Sequence, residues 1–425
     1  MNHKSILSFL LLLLTVLPIS AQTKEGKAEN QIEEPSRVII GAEQLFSEQY
    51  LPLVKGKRIG LVTNHTGVLP DGTHLIDLLH DNPEVELSLL FGPEHGLRGE
   101  KDTHVADGVD PETGVQIISL YGKLRKPTKE MLDQVDVLVF DIQDIGARFY
   151  TYIKTMLRVQ EAAAEEGIPF IVLDRPNPIS GSYVDGPVGK ALEPVTGIGN
   201  IPVTHGMTVG ELALMFNGER KAKGLQEARL TVIPMKNYTR AQWYDETGLP
   251  WIKPSPNMLT LETATVYPAT CLLEGTNISE ARGTLFPFEH FGAPWVDSEK
   301  LSQQLNSYSL EGVTFRPKSF SPDSIVDGIK IYPPKFMGEK VPGVEMEITD
   351  RNNFESARAG VYILHALMTL SPENFKWREG RIDGLLGTSA IREQLQAGEL
   401  PQEIVAKWDD DVKEFKAKRK NYLLY

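Results

Sequence analysis

The chain predicts an α/β fold built on a parallel sheet, followed by a smaller α+β portion, and three observations carry that reading. From Arg58 to Pro176 short β-branched apolar runs alternate with helical stretches, the pattern of βα units. After Asn177 the alternation becomes irregular and the strands mixed. The chain has 425 residues, and the roughly 390 that follow its first segments suit two domains better than one small core.

Strands are predicted over Arg58–Thr63, Val85–Phe91, Val115–Ser119, Val135–Ile142 and Pro169–Leu173. Helices are predicted near Thr73–His80, Thr128–Leu132 and Thr151–Glu166. The last gathers Ile153, Met156, Leu157 and Ala164 on one face and stops at Gly167. Crossovers in such a sheet are right-handed. Further on, Leu230–Pro234, Gly328–Tyr332 and Val344–Ile348 read as strands, and Phe354–Leu370 and Ile404–Lys420 as helices. Trp251 to Asn257 reads as an extended connector, which places a domain boundary near Met258 and divides the chain into 38–258 and 259–425.

The N-terminus has Lys4, an apolar run from Ile6 to Leu17 and small residues ending at Ala21, the three-part layout of a secretory signal peptide over residues 1–21. Residues 22–37 are polar and read as a flexible tether. No later segment approaches the roughly 20 apolar residues of a membrane helix, so stable membrane insertion is not expected. Cys271 is the single cysteine, which excludes an internal disulfide. A signal peptide without disulfides points to an exported protein, periplasmic or secreted. The net charge of −13, from 44 basic and 57 acidic side chains, repels polyanions and argues against nucleic acid as a partner.

Polar residues collect where the predicted strands end. Asn64-His65 follows the first strand, Glu94-His95 and Arg98 the second, Asp141 to Tyr150 the fourth, and Asp174-Arg175-Pro176-Asn177 the fifth. In open parallel sheets ligands bind outside the carboxyl ends of the strands, so this rim is the candidate site. Asp and Asn at these places also serve as helix caps, which is the competing structural reading.

The chemistry is narrowed by what the sequence lacks. No G-x-G-x-x-G or G-x-x-x-x-G-K-[ST] cradles a phosphate, no G-x-S-x-G builds a nucleophile elbow, and no H-E-x-x-H offers paired metal ligands. No cofactor and no metal are expected. Carboxylate acid/base chemistry fits best, with Glu94 as general acid, Asp144 or Asp141 as the second carboxyl group and His95 tuning the site. Arg148 and Tyr150 add a guanidinium that can grip a carboxylate and a ring that can face a sugar.

Five blocks in order, Phe91–Gly96, Asp141–Tyr152, Asp174–Pro178, Pro254–Met258 and Glu274–Asn277 with Arg282–Thr284, resemble the exo-β-N-acetylmuramidase family, and the likeness runs from Val38 to Tyr425. It implies a Rossmann-like domain and a smaller C-terminal domain with the active-site cleft between them. The implied activity is release of N-acetylmuramic acid from the non-reducing end of peptidoglycan fragments, with Glu94 as the catalytic glutamate. It also adds Asn257, Glu274 and Asn277 to the substrate-binding candidates, and makes Arg98, Arg148 and Arg282 candidate clamps for the lactyl carboxylate of muramic acid. The family pattern is departed from at Leu259, Ala269 and Ala281, where proline, glycine and glycine are usual. An exported protein that binds muropeptides or sugars without cleaving them is the alternative, and the rim carboxylates argue against it.

Overall fold

The computed structural model describes residues 37–94, 96–98, 107–189 and 199–425. The expected signal peptide, the tether before Arg37, and His95 lie outside the described residues. Arg37–Tyr425 pack as one unit.

Among the described residues the first half is a seven-stranded sheet made of β1 (Arg58–Thr63), β2 (Glu86–Gly92), β3 (Gly108–Val109), β4 (Gln116–Ser119), β5 (Val137–Asp141), β6 (Pro169–Leu173) and β7 (Arg229–Ile233). Their order is β3-β4-β2-β1-β5-β6-β7, and every pairing is parallel except β3 with β4. Without the short edge strand β3, the order is that of the doubly wound Rossmann sheet, whose direction of winding reverses between β1 and β5. That reversal opens a crevice at the carboxyl ends of the two strands.

The alternation of side chains along each strand sorts them onto two faces. Ile59, Leu61, Val137, Val139, Ile171 and Leu173 pack under α1 (Gly41–Gln44) and α2 (Leu75–His80). Val62, Phe91, Leu138, Phe140, Phe170 and Val172 face the other way. They share one apolar cluster with Ile153, Met156 and Val159 of α4 (Thr151–Glu166) and with Leu212 and Phe216 of α5 (Val209–Ala222); α3 (Lys129–Leu132) lies beside α4. Gly167 closes α4 in the left-handed conformation at φ 67°, as a C-terminal glycine does. Thr208 and Glu211 form a capping box that starts α5.

The same apolar cluster continues into the second half, through Tyr267 and Leu272 to Phe291, Phe315, Val361 and Leu364. There α6 (Leu261–Thr270), α7 (Ser298–Ser307) and α8 (Ser356–Leu370) pack with β8 (His290–Gly292), β9 (Val313–Phe320) and β12 (Val341–Ile348), antiparallel in the order β8-β12-β9. A small hairpin pairs β10 (Ile325–Val326) with β11 (Ile329–Lys330). The chain ends in α9 (Glu379–Leu386), α10 (Ala390–Gln396), α11 (Pro401–Ala406) and α12 (Asp409–Arg419).

Two expected elements differ. The helix expected over Ile404–Lys420 is broken into α11 and α12 at Lys407-Trp408, where the backbone of Trp408 turns to φ −98°, ψ 0° and its indole donates to Asp185 Oδ1 at 3.0 Å. The strand expected from Val344 starts at Val341 and includes Pro342, whose carbonyl accepts from Ala293. No helix among the described residues is long and apolar enough to cross a membrane.

Candidate active site

Glu94 occupies the turn after β2. Its Oε2 accepts from the Thr151 hydroxyl at 2.8 Å, the first residue of α4. The Tyr121 hydroxyl reaches the same carboxylate, and burial followed by the Glu94 charge holds that phenol well above its ordinary pKa. Gly96, at φ 75°, lets the chain turn back immediately after this carboxyl group. Glu94 is half-buried, with one side open to the surface.

Asp144 lies in the loop after β5. Its Oδ2 accepts from the Gly146 amide at 2.8 Å, while its Oδ1 is buried without a hydrogen-bond partner. Burial pushes its pKa up to about 7, against the opposing pull of the Gly146 and Ile145 amides. Gly146 is required here: it sits at φ 84°, and a Cβ would approach Asn177 Oδ1 to 2.4 Å. Asn177 is thus wedged under the turn, donating to Met207 O and accepting from Ile179 N.

Facing Asp144 is His205, fully buried in the loop before α5, with Nε2 3.8 Å from Asp144 Oδ2. Its Nδ1 accepts from the Met207 amide at 3.2 Å, which puts the proton on Nε2. Burial, then the Arg419 and Arg148 charges, pull its pKa down to about 3, so the ring is neutral.

Three buried polar atoms without a partner in hydrogen-bonding geometry lie at these strand ends: Gln143 Oε1, Asp144 Oδ1 and His205 Nε2. Leaving a buried donor or acceptor unpaired costs about 1–3 kcal/mol. A fold that keeps three of them together holds unused hydrogen-bonding capacity for a polar ligand. Tyr150 ties the two carboxyl groups into one site. Burial first, then the Asp144 and Glu94 charges, raise its pKa. Its ring stands edge-on to Tyr152 at 5.0 Å and to Tyr267 at 6.0 Å.

Other expected site residues are engaged within the fold. Asp141 is fully buried and gripped by Arg175 through Nε–Oδ1 at 2.6 Å and Nη2–Oδ2 at 2.9 Å. Arg98 is held by Asp110 and Asp77. Arg148, expected in an open polar loop, is buried and donates to the carbonyls of Pro187, Ile201 and Leu385. Asn277 joins two chain segments by pairing with Asn374 O and Lys376 N. Asn257 is buried in the connector before α6.

Glu274 and Arg282 are brought together in the second half, with Arg381, which the sequence reading missed. Arg282 Nη2 lies 2.6 Å from Glu274 Oε1, and Arg381 binds the other oxygen. Burial alone would raise the Glu274 pKa, but the two guanidinium groups outweigh it and hold the carboxylate ionised. Arg282 also lies 4.9 Å over the Phe288 ring, which packs on Tyr267. The Arg381 charge reaches Tyr121, so this cluster adjoins the Glu94 side of the site. The neighbouring Ala281 has φ 57°, a left-handed conformation that glycine adopts more readily.

His205, Thr151, Tyr121 and Tyr152 were also missed. The Thr208-x-x-Glu211 capping box was the available signal for His205, since it fixes the start of α5 and therefore the loop before it. Among the described residues no three His, Cys, Asp or Glu side chains converge as metal ligands would.

A doubly wound sheet with carboxyl, amide, phenol and imidazole groups near its switch point is the architecture of an α/β enzyme, and makes the strand carboxyl ends the candidate site. The family models of exo-beta-N-acetylmuramidase NamZ match this chain, the N-terminal one over residues 59–262 and the C-terminal one over 265–425. The chain belongs to the exo-β-N-acetylmuramidase family, a family of glycosidases. It is 44% identical over 430 aligned positions to the peptidoglycan beta-N-acetylmuramidase NamZ of Bacillus subtilis, with 100% of each chain covered. Two crystal structures of DUF1343 family proteins from Bacteroides fragilis share its fold. One has a TM-score of 0.83 at 39% identity, the other 0.75 at 38%, and each comparison covers 92% of this chain and 99% of the other.

Proposed function

We propose that this chain is an exported exo-acting glycosidase that releases N-acetylmuramic acid from the non-reducing end of peptidoglycan-derived fragments. The observation that carries the reading is that the charges of Glu94 and Asp144 both reach the Tyr150 phenol, with unpaired buried polar atoms of Gln143, Asp144 and His205 at hand. Glycoside hydrolysis uses two carboxyl groups flanking the scissile bond. Glu94, the carboxyl group with an open side, acts as general acid on the glycosidic oxygen, held in place by Thr151 and Tyr121. Asp144 is its partner on the glycone side, since Asp141 is closed off by Arg175 and Asp144 keeps an oxygen unpaired. A titration near neutrality suits an acid/base group. Asn64, Gln143 and His205 offer the hydrogen bonds for the sugar's hydroxyl and acetamido groups.

The test is to incubate the protein with the disaccharide of N-acetylmuramic acid linked to N-acetylglucosamine and to follow released sugars by mass spectrometry. Free N-acetylmuramic acid is the expected product. Binding of the intact disaccharide without release would instead establish a muropeptide-binding protein.

A further inference from the structure

A groove opens beside Thr151 and Tyr121, the two residues that meet Glu94. It has a volume of about 180 Å³ and runs between the 120–125 loop and the first two turns of α4, lined by Tyr121, Arg125, Thr151, Lys154 and Arg158. Thr151, Lys154, Thr155 and Arg158 recur at helical spacing and so form one face of α4. Consecutive residues divide the space. Tyr150 belongs to the buried cluster with Asp144, while Thr151 holds Glu94 and begins the wall of the groove. Glu94 is therefore held where the buried polar cluster around Tyr150 meets a groove that carries three cationic side chains.

In an exo-acting glycosidase the closed pocket takes the terminal sugar and the open channel takes the leaving group. From Thr151 to Arg158 the helix advances about 10 Å, roughly two pyranose rings. In a strand where muramic acid alternates with N-acetylglucosamine, the second sugar beyond the cleaved bond is again muramic acid. It carries a carboxylate on its lactyl group or on the peptide attached there. Arg125 and Tyr121 face this wall from the loop, and the Arg125 charge reaches the Tyr121 phenol that meets Glu94. Among the described residues that line the groove none is acidic.

We propose that this groove is a leaving-group subsite in which Arg125, Lys154 and Arg158 receive a carboxylate of the second sugar beyond the bond cleaved. The inference rests on the function proposed above and adds an anion-recognition site on the leaving-group side. Arg158 is already paired with Glu161 at 3.2 Å, an i,i+3 contact at the helix surface. Such pairs are weak enough to rearrange around a second anion.

The test compares wild type with the double variant Lys154→Gln/Arg158→Gln on four substrates. The first is the disaccharide, whose leaving group is neutral. The others are the trisaccharide ending in muramic acid with a free lactyl carboxylate, the same trisaccharide as its neutral lactyl amide, and the same trisaccharide bearing a peptide stem. The variant is expected to keep wild-type kcat/KM on the disaccharide and the amide. It should lose about tenfold on a carboxylate-bearing trisaccharide, equivalent to roughly 1.4 kcal/mol. The wild-type advantage on that substrate should shrink as ionic strength rises. Loss on the free lactyl acid identifies that carboxylate as the ligand, and loss confined to the peptide-bearing substrate identifies the stem. Equal losses on acid and amide, or no loss on either acid, overturn the subsite while leaving the reaction standing. Failure of the wild type to cleave the disaccharide overturns the proposed function and the subsite with it.

Discussion

His205 Nε2 and Asp144 Oδ2 stand 3.8 Å apart with neither group charged. The aspartate is kept protonated by burial up to about pH 7, and the imidazole is kept neutral down to about pH 3. Each shift ties stability to pH with its own sign. The raised Asp144 pKa contributes stability that is complete below its unfolded value near 4 and is lost as pH rises to about 7. The depressed His205 pKa contributes stability that is complete above its unfolded value near 6.5 and is lost as pH falls towards 3. The two slopes oppose each other over nearly the same window. Asp144→Asn should therefore leave a protein that weakens from pH 6.5 to 4, and His205→Gln one that weakens from pH 4 to 7. Urea midpoints at pH 4.5 and 7 check this, and parallel profiles for wild type and both variants would show the pair to be charged.

The same aspartate gives the reaction a pH signature. As the partner of a general-acid Glu94, Asp144 works ionised, so kcat/KM should rise through about pH 7 and the rise should vanish in Asp144→Asn. A falling limb at that pH, also abolished by Asp144→Asn, would exchange the roles of the two carboxyl groups. Glu94→Gln keeps the acceptor for Thr151 but has no proton to give. It should bind the disaccharide and lose about 10²–10⁴-fold in turnover.

Asp141 separates structure from chemistry. Both of its oxygens are engaged by Arg175 in the interior, and removing one partner of a buried pair typically costs about 3–5 kcal/mol. Arg175→Ala should lower the thermal midpoint sharply, and Asp141→Asn should do so to a lesser degree because the amide retains one acceptor. The folded fraction of either should still cleave the disaccharide. A stable Asp141→Asn protein without activity would return Asp141 to the catalytic pair.

The sheet was legible because its determinants are local. Apolar runs bounded by Gly, Pro and Asx placed β1, β2, β4, β5 and β6 to within two residues, and a single apolar face with Gly167 placed α4 over Thr151–Glu166. The polar rim was legible for the same reason, since loops after the carboxyl ends of parallel strands lie on one edge of the sheet. What the sequence hid is set by distant partners. Arg98 and Arg148 read as available cations, but Asp110, Asp77 and three carbonyls meet them only after folding. Arg381 lies 107 residues from the Glu274 it binds, and α6 carries Pro268, which reads as a helix breaker.

Thr151 offers a further test, because its hydroxyl fixes the Glu94 carboxylate while its backbone opens α4. Thr151→Val keeps the β-branched shape at the helix start and removes only the donor. A hydrogen bond to a charged group contributes about 1.5–3 kcal/mol, so kcat should fall by roughly tenfold or more if that bond holds Glu94 in its working position. The loss should fall on kcat rather than KM, because the Thr151 hydroxyl is spent on Glu94 and would act on the acid rather than on the bound sugar. Thr151→Ser restores the donor and should restore most of the rate. Steady-state kinetics on the disaccharide, with thermal midpoints measured alongside, decide between the readings. If valine and serine lower kcat equally, the methyl group rather than the hydroxyl is what the site requires of Thr151.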